Sequence, residues 1–301
     1  MIDRNAYISK EQIRKQTVYF YLAPLIWSIY LVILPAVFSF NKYLAVACMI
    51  FPGLYLFTWL GYLMHECWHK YVPNVNNGLM YNVLALMILS DPQLYHIIHG
   101  SHHSKVHTWE DSEFHPLGEI KSRGFRIVYN WMEIIFGVAF LVVMASITVP
   151  RHKIFSKKYR YWKLFSSIFL WILFWGCTGY LSNILFGSAL TDILISYGIM
   201  IWLGSFFLHQ SQLVEHGNLI VEGNFNERNY FSRNLAPSGV AEKVFLFLTH
   251  NDSLEHVLHH TLTSVYSRPF PGSVPLPKDA IVITLKEYLS VIGRMLIGRA
   301  D

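Results

Sequence analysis

Four uncharged apolar stretches, each close to the length that a bilayer demands, constrain this chain more than any other feature. A helix that crosses the hydrocarbon core needs roughly 20 predominantly apolar residues. Thr17–Phe40, Tyr43–Met64 and Leu164 to about Leu181 carry no charge, and Ile193–Val214 has only His209 as an ionisable group. Pro24, Pro35 and Pro52 fall inside these stretches, where membrane helices tolerate proline. Composition agrees: 53% of the 301 residues are hydrophobic and 14% are charged, against about a quarter charged in a soluble domain. The expected fold is an all-α integral membrane protein.

Charge placement gives an orientation. Arg151, Lys153, Lys157, Lys158, Arg160 and Lys163 form a basic run with no acid in it, and Arg4, Lys10, Arg14 and Lys15 lie before the first stretch. The turn around Ser182–Asp192 has no basic residue, and Ser39–Lys42 is a tight connection with one. The positive-inside rule places the N-terminus and the 150–163 loop in the cytosol. The net charge of +5 is therefore read as a topology signal, and no nucleic-acid partner is expected. Residues 1–16 read as a cytosolic tail, because the apolar run that follows is too long for a signal peptide. Cys48, Cys67 and Cys177 form no CxxC pair and no disulfide framework.

Two shorter apolar segments, 78–90 and Phe125–Val149, are read as interfacial or re-entrant helices. A six-span alternative uses both as crossings and moves the 91–123 loop to the opposite face. The four-span reading gives one domain over 1–301. It has a membrane region at 17–214 with cytosolic loops 65–123 and 150–163, and a cytosolic helical cap at 215–301. The cap has turn-rich stretches at Pro237-Ser238-Gly239 and Pro269 to Pro277, then an amphipathic surface helix from Asp279 to about Leu296.

Fifteen histidines are many for this length, and they fall at the ends of the spans or between them. His65-Glu66-Cys67-Trp68-His69 closes the second span. Positions i and i+4 share a helix face, so two imidazoles there can share an ion. His99-Gly100-Ser101-His102-His103 and His256-Val257-Leu258-His259-His260 repeat one HxxHH spacing, a three-pronged face with one prong able to reach a neighbouring ion. His216 follows the fourth span. His96, His107, His115, His152, His209 and His250 read as solvated or packed residues.

His65–His69 is also a literal HExxH, which on a helix is the mark of a zinc peptidase with the glutamate as general base. Catalytic zinc takes three protein ligands and a water, which would leave both HxxHH boxes idle. A third zinc ligand on a later span has only Asp192 as a candidate, on the outer side. A metal transporter or sensor would place its ligands near the bilayer midplane, away from the span ends. Nine imidazoles suit two ions with open positions. Imidazole alone does not name the metal. An apolar substrate arriving from lipid offers little to hydrolyse, which favours a redox metal and oxygen. No GxGxxG dinucleotide fingerprint is present, so electrons are expected from a separate carrier.

The three boxes, in this order, resemble those of the membrane-bound fatty acid desaturase and hydroxylase superfamily. His65–His69 looks like the first box of acyl-lipid desaturases and, with Lys70, like the HExxHK of alkane hydroxylases. Glu215-His216-Gly217 resembles the extra histidine of alkane hydroxylases and carotenoid ketolases. The resemblance covers roughly residues 17–270. It implies a non-haem centre of two iron ions with molecular oxygen as co-substrate. Carried over, the ligands are His65, His69, His99, His102, His103, His216, His256, His259 and His260. It also implies a lipid-like substrate and an electron donor of ferredoxin, rubredoxin or cytochrome type. A ligating imidazole usually donates its other N–H to a carboxylate or carbonyl. Glu66, Asp111, Glu113, Glu215, Asp252 and Glu255 are the candidates, with Glu66, Glu215 and Glu255 ranked ahead because each adjoins a proposed ligand. Desaturation is ranked ahead of hydroxylation, and the active site is expected on the cytosolic face, with a bacterial inner membrane as the guessed location.

Overall fold

A computed structural model of the protein describes residues 10–70, 72, 74–261 and 275–299. Most of the N-terminal tail and the first part of the Pro269–Pro277 stretch lie outside the described residues. The chain runs through α1 (Lys10–Phe40), α2 (Lys42–Cys48), a π-turn (Met49–Gly53), α3 (Leu54–Trp68), α4 (Asn77–Met87), α5 (Pro92–Lys105), α6 (Arg123–Phe136) and α7 (Val138–Thr148). It continues with α8 (Tyr161–Phe186), α9 (Leu190–His216), α10 (Phe225–Tyr230), β1 (Asn234–Leu235), α11 (Val240–Leu248), α12 (His256–Thr261), β2 (Val282–Ile283) and α13 (Leu285–Leu296). Among the described residues the fold is all-α apart from one two-residue parallel pairing, Asn234 with Val282 and Leu235 with Ile283.

Among the described residues, four helical segments are long and apolar enough to cross a membrane: Thr17–Phe40, Lys42–Trp68, Tyr161–Phe186 and Leu190–His216. The last three extend a few residues beyond the apolar stretches, because Lys163 and His216 are accommodated at helix ends. The second is bent rather than straight. Pro52 has no backbone N–H to donate, and the helix widens into the π-turn around it. Asn41 alone separates α1 from α2, and its side chain accepts from the N–H groups of Tyr43 and Leu44, a cap that lets the chain reverse at once.

The described residues fall into two compact units. One comprises Glu11–Gln93 and Arg160–Phe207. Trp27, Leu31 and Leu34 form the buried stripe of α1. The Trp27 indole donates to the Met87 carbonyl at 3.2 Å, and the Tyr197 hydroxyl donates to the Leu31 carbonyl at 2.8 Å. Gly204 lets α9 approach α3, since a Cβ there would fall 2.5 Å from the Phe57 ring. Small residues serve this purpose between membrane helices. Phe165, Phe169, Ile172, Tyr180 and Ile184 of α8 point outward, as lipid-facing residues do. The Ser39 hydroxyl donates to Asp192 at 2.5 Å.

The other unit is built from Leu94–Tyr159 and the chain from Leu208 onward. Its core gathers Leu213, Val214, Leu235, Leu246, Tyr288, Val291 and Met295. Asn130 of α6 donates to the Met295 carbonyl at 2.7 Å, joining α6 to α13. Two sequence expectations need correction here. Phe125–Val149 is not one helix: Gly137 has φ 55° and ψ −137°, a conformation that glycine adopts without strain, and it separates α6 from α7. The terminal amphipathic helix starts at Leu285, not Asp279, because Thr284 and Glu287 form a capping box and the residues before it enter β2. α6 turns Phe125, Val128, Trp131 and Met132 outward.

Candidate metal centre

The second histidine box lies in the C-terminal half of α5 and the third occupies α12. Asn234 holds α12 in place, its side-chain oxygen accepting from the Val257 N–H at 3.1 Å. On α5, His99 and His103 are one turn apart, and their Nε2 atoms lie 3.1 Å from each other. On α12, His256 and His260 repeat that arrangement at 3.2 Å. The third prong of α12 crosses over: His259 Nε2 lies 3.2 Å from His103 Nε2. His102 makes the reciprocal crossing. A ring nitrogen of His102 shares a grouping with those of His216 and His260, all within 4.8 Å.

His216, the last residue of α9, closes the second grouping. Its Nε2 lies 2.8 Å from His256 Nε2 and 3.3 Å from His260 Nε2. Seven imidazoles of this unit therefore form two adjoining sets: His99, His103 and His259, and His102, His216, His256 and His260. In the other unit His65 and His69 pack against one another at the end of α3, with ring centroids 4.7 Å apart.

The outward nitrogens are held by polar partners. His99 Nδ1 is 2.9 Å from Glu113, and His102 Nδ1 is 2.8 Å from Asp111. His256 Nδ1 is 3.2 Å from Glu215, with Asp252 behind it at 3.8 Å. His260 Nδ1 is 3.1 Å from the Asn229 side-chain oxygen. His216 Nδ1 is 2.9 Å from His107 Nε2. The carboxylates are themselves anchored: Asp111 also accepts from the Glu113 N–H at 3.0 Å, and Glu215 accepts from the Ser253 hydroxyl at 2.9 Å.

Sequence adjacency was a poor guide to these partners. Glu66 and Glu255 are buried beside ligand candidates, yet the carboxylates set against His99 and His102 belong to Asp111 and Glu113, in the loop after α5. Asn229 and His107 were missed. His107 carried a faint signal, since it continues the four-residue spacing from His99 through His103; Asn229 carried none. His209, read as packed, lies 3.2 Å from Glu133, both buried.

Burial sets the charge states. It holds His260 well below the usual imidazole range, helped by its histidine neighbours. Burial lowers His107 to about 3. For His102 burial acts downward too, but the Asp111 carboxylate outweighs it and the net shift is upward. Burial pushes Glu113 up to about 7, with the Asp111 charge adding to the shift and His102 opposing it.

These residues fit a bound cation. If Nδ1 carries the hydrogen and donates outward, the Nε2 lone pairs face one another across 2.8–3.3 Å. Bare lone pairs repel at that range. Imidazole nitrogens bound to one ion at about 2.0–2.1 Å in adjacent positions lie about 2.8–3.4 Å apart. An ion turns the repulsion into coordination, and the outward acceptors are the partners that ligating histidines ordinarily have.

Comparison with known proteins agrees. The sequence profile named Fatty acid desaturase matches residues 41–267. The chain belongs to the fatty acid desaturase family. No curated protein and no solved structure matches it. As a member of the desaturase family it is a desaturase- or hydroxylase-type oxidoreductase, and its helices and family together make it an integral membrane protein. The matched region holds all three histidine boxes and His216 of this desaturase-family chain, and ends within the residues that follow α12.

Proposed function

We propose that this protein is an oxygen-dependent, multi-pass membrane oxidoreductase that desaturates an acyl chain at a centre of two non-haem iron ions. The observation that carries the reading is the double set of inward Nε2 atoms, each set drawing on both α5 and α12. His99, His103 and His259 would hold one ion, and His102, His216, His256 and His260 the other. His65 and His69 are assigned to the same centre on the order of the boxes, completing nine ligands. Iron supplies one-electron and oxygen chemistry that amino-acid side chains lack.

The chain's own residues do the rest. Asp111, Glu113 and Asn229 stand against the outward nitrogens of His102, His99 and His260, Glu215 lies beside His256, and burial keeps the His260 ring unprotonated. Desaturation consumes one O2, two electrons and two protons, removes two hydrogens from neighbouring carbons and yields two waters. The electrons require a separate donor of ferredoxin, rubredoxin or cytochrome type, and the substrate a route from the bilayer. The basic 150–163 loop and the N-terminal tail support a site on the cytosolic side, and a bacterial inner membrane is the location proposed.

A hydroxylase reading has one specific observation in its favour. His216, whose Glu215-His216-Gly217 setting resembles that of alkane hydroxylases and carotenoid ketolases, sits among the inward nitrogens. Hydroxylation would retain one oxygen atom in the product. The experiment is product analysis with purified, iron-loaded protein, a reductant and 18O2. An alkene without label supports desaturation, and a labelled alcohol supports hydroxylation. A cleaved peptide with no oxygen consumed would overturn both in favour of the HExxH zinc protease.

A further inference from the structure

Five of the seven clustered imidazoles have an outward partner described above. Four partners are carboxylates or a carboxamide, groups that offer an oxygen acceptor. The fifth, His107, is itself an imidazole, so its role depends on which of its nitrogens carries the hydrogen.

The structure determines this. His107 Nδ1 lies 2.8 Å from the backbone carbonyl of Arg228. A carbonyl only accepts, so Nδ1 of His107 is the donor. In the neutral ring Nε2 then carries a lone pair. That Nε2 lies 2.9 Å from His216 Nδ1, and a lone pair there requires the hydrogen to be on His216. With Nδ1 protonated, His216 presents its Nε2 lone pair to His256 and His260 at 2.8 and 3.3 Å. The chain of inference starts at a backbone carbonyl, which cannot change its role.

The placement of His107 is also unusual. Its backbone has φ 59°, a left-handed conformation that costs a residue with a Cβ free energy. Its own carbonyl accepts from the Val221 N–H at 2.9 Å, and its side chain is 2% exposed. The loop after α5 is thus tied at this one residue to the segment between α9 and α10.

We propose that His107 is a positioning residue that locks His216 into the tautomer whose Nε2 can bind metal. It does not itself touch metal or substrate. The consequence is an asymmetry: His102 and His256 face the carboxylates of Asp111 and Glu215, while His216 is backed by a neutral ring, as His260 is by the neutral Asn229, and each of these donates less electron density. This inference rests on the proposed metal centre.

The test uses the full chain in detergent, freed of metal and titrated with Fe2+, and with Co2+ as a visible-absorption probe. Two variants are compared, His107→Gln and His107→Leu. The glutamine oxygen can accept from His216 Nδ1, and leucine cannot. Removing such a partner typically costs 10- to 100-fold in metal affinity. The expected result is that His107→Leu loses 10-fold or more in affinity for part of the bound metal and alters the Co2+ bands. His107→Gln, which keeps an acceptor for His216 Nδ1, should lose less than tenfold. Should the leucine variant fail to fold, His107→Ala, which also cannot accept from His216 Nδ1, takes its place under the same criteria, and a loss of tenfold or more in the glutamine variant overturns the proposal. Equal binding by leucine variant and parent also overturns it while leaving the metal centre intact. A parent protein that binds neither ion refutes the centre itself, and this inference with it.

Discussion

Replacing Asp111 by asparagine should weaken metal binding and destabilise the loop after α5, for reasons that can be counted atom by atom. Asp111 is 1% exposed and uses both carboxylate oxygens. One faces His102 Nδ1 at 2.8 Å, and the other accepts from the Glu113 N–H at 3.0 Å. Asparagine keeps the shape but has one acceptor oxygen. If it stays on His102, the amide NH2 confronts the Glu113 N–H, and two buried donors oppose each other. If it turns to Glu113, the NH2 confronts His102 and favours the wrong tautomer. A buried group left without its hydrogen bond costs about 1–3 kcal/mol. The weakened imidazole should cost about 10- to 100-fold in metal affinity, equal to about 1.4–2.7 kcal/mol. The assay is metal content after dialysis against graded chelator, with thermal unfolding of the metal-free protein measured alongside. Parent-like metal retention at every chelator concentration, together with unchanged unfolding, would refute the reasoning.

His102→Ala and His259→Ala should each abolish oxygen consumption and lower iron content, whereas the exposed His152→Ala should leave both unchanged; a zinc protease would instead tolerate the first two and fail only at Glu66→Gln. Gly204→Ala should lower thermal stability in detergent by about 1–3 kcal/mol, since its Cβ would meet the Phe57 ring at 2.5 Å, and an unchanged melting curve would show that the helices part without cost. Thr284→Ala removes half of the capping box at the start of α13 and should cost about 0.5–2 kcal/mol, read by thermal unfolding.

What could be read in advance, and what could not, follows from the range of each interaction. Hydropathy is a sum over neighbours in sequence, and the four long segments were legible because lipid imposes a minimum length on an uncharged run. A single backbone conformation escapes such a sum, which is why Phe125–Val149 read as continuous although Gly137 divides it. The histidine boxes were legible for a similar reason. The i, i+3, i+4 spacing is a local property of a helix, and it places His99 with His103 and His256 with His260 before any tertiary contact is known. The partners of those rings are not local. His107 meets His216 across 109 residues, and His260 meets Asn229 across 31. Adjacency misleads, since consecutive helical residues point about 100° apart, so a glutamate next to a ligand tends to face away from that ligand's outer nitrogen. Glu215 is instructive because it succeeds by a different route. It adjoins His216 in sequence, yet the ring it approaches at 3.2 Å is His256, 41 residues further on. The carboxylate beside one ligand therefore supports another. His216 itself depends on a histidine that sequence reasoning assigned no role, so the least conspicuous imidazole in the α5 loop fixes the chemistry of one of the most central.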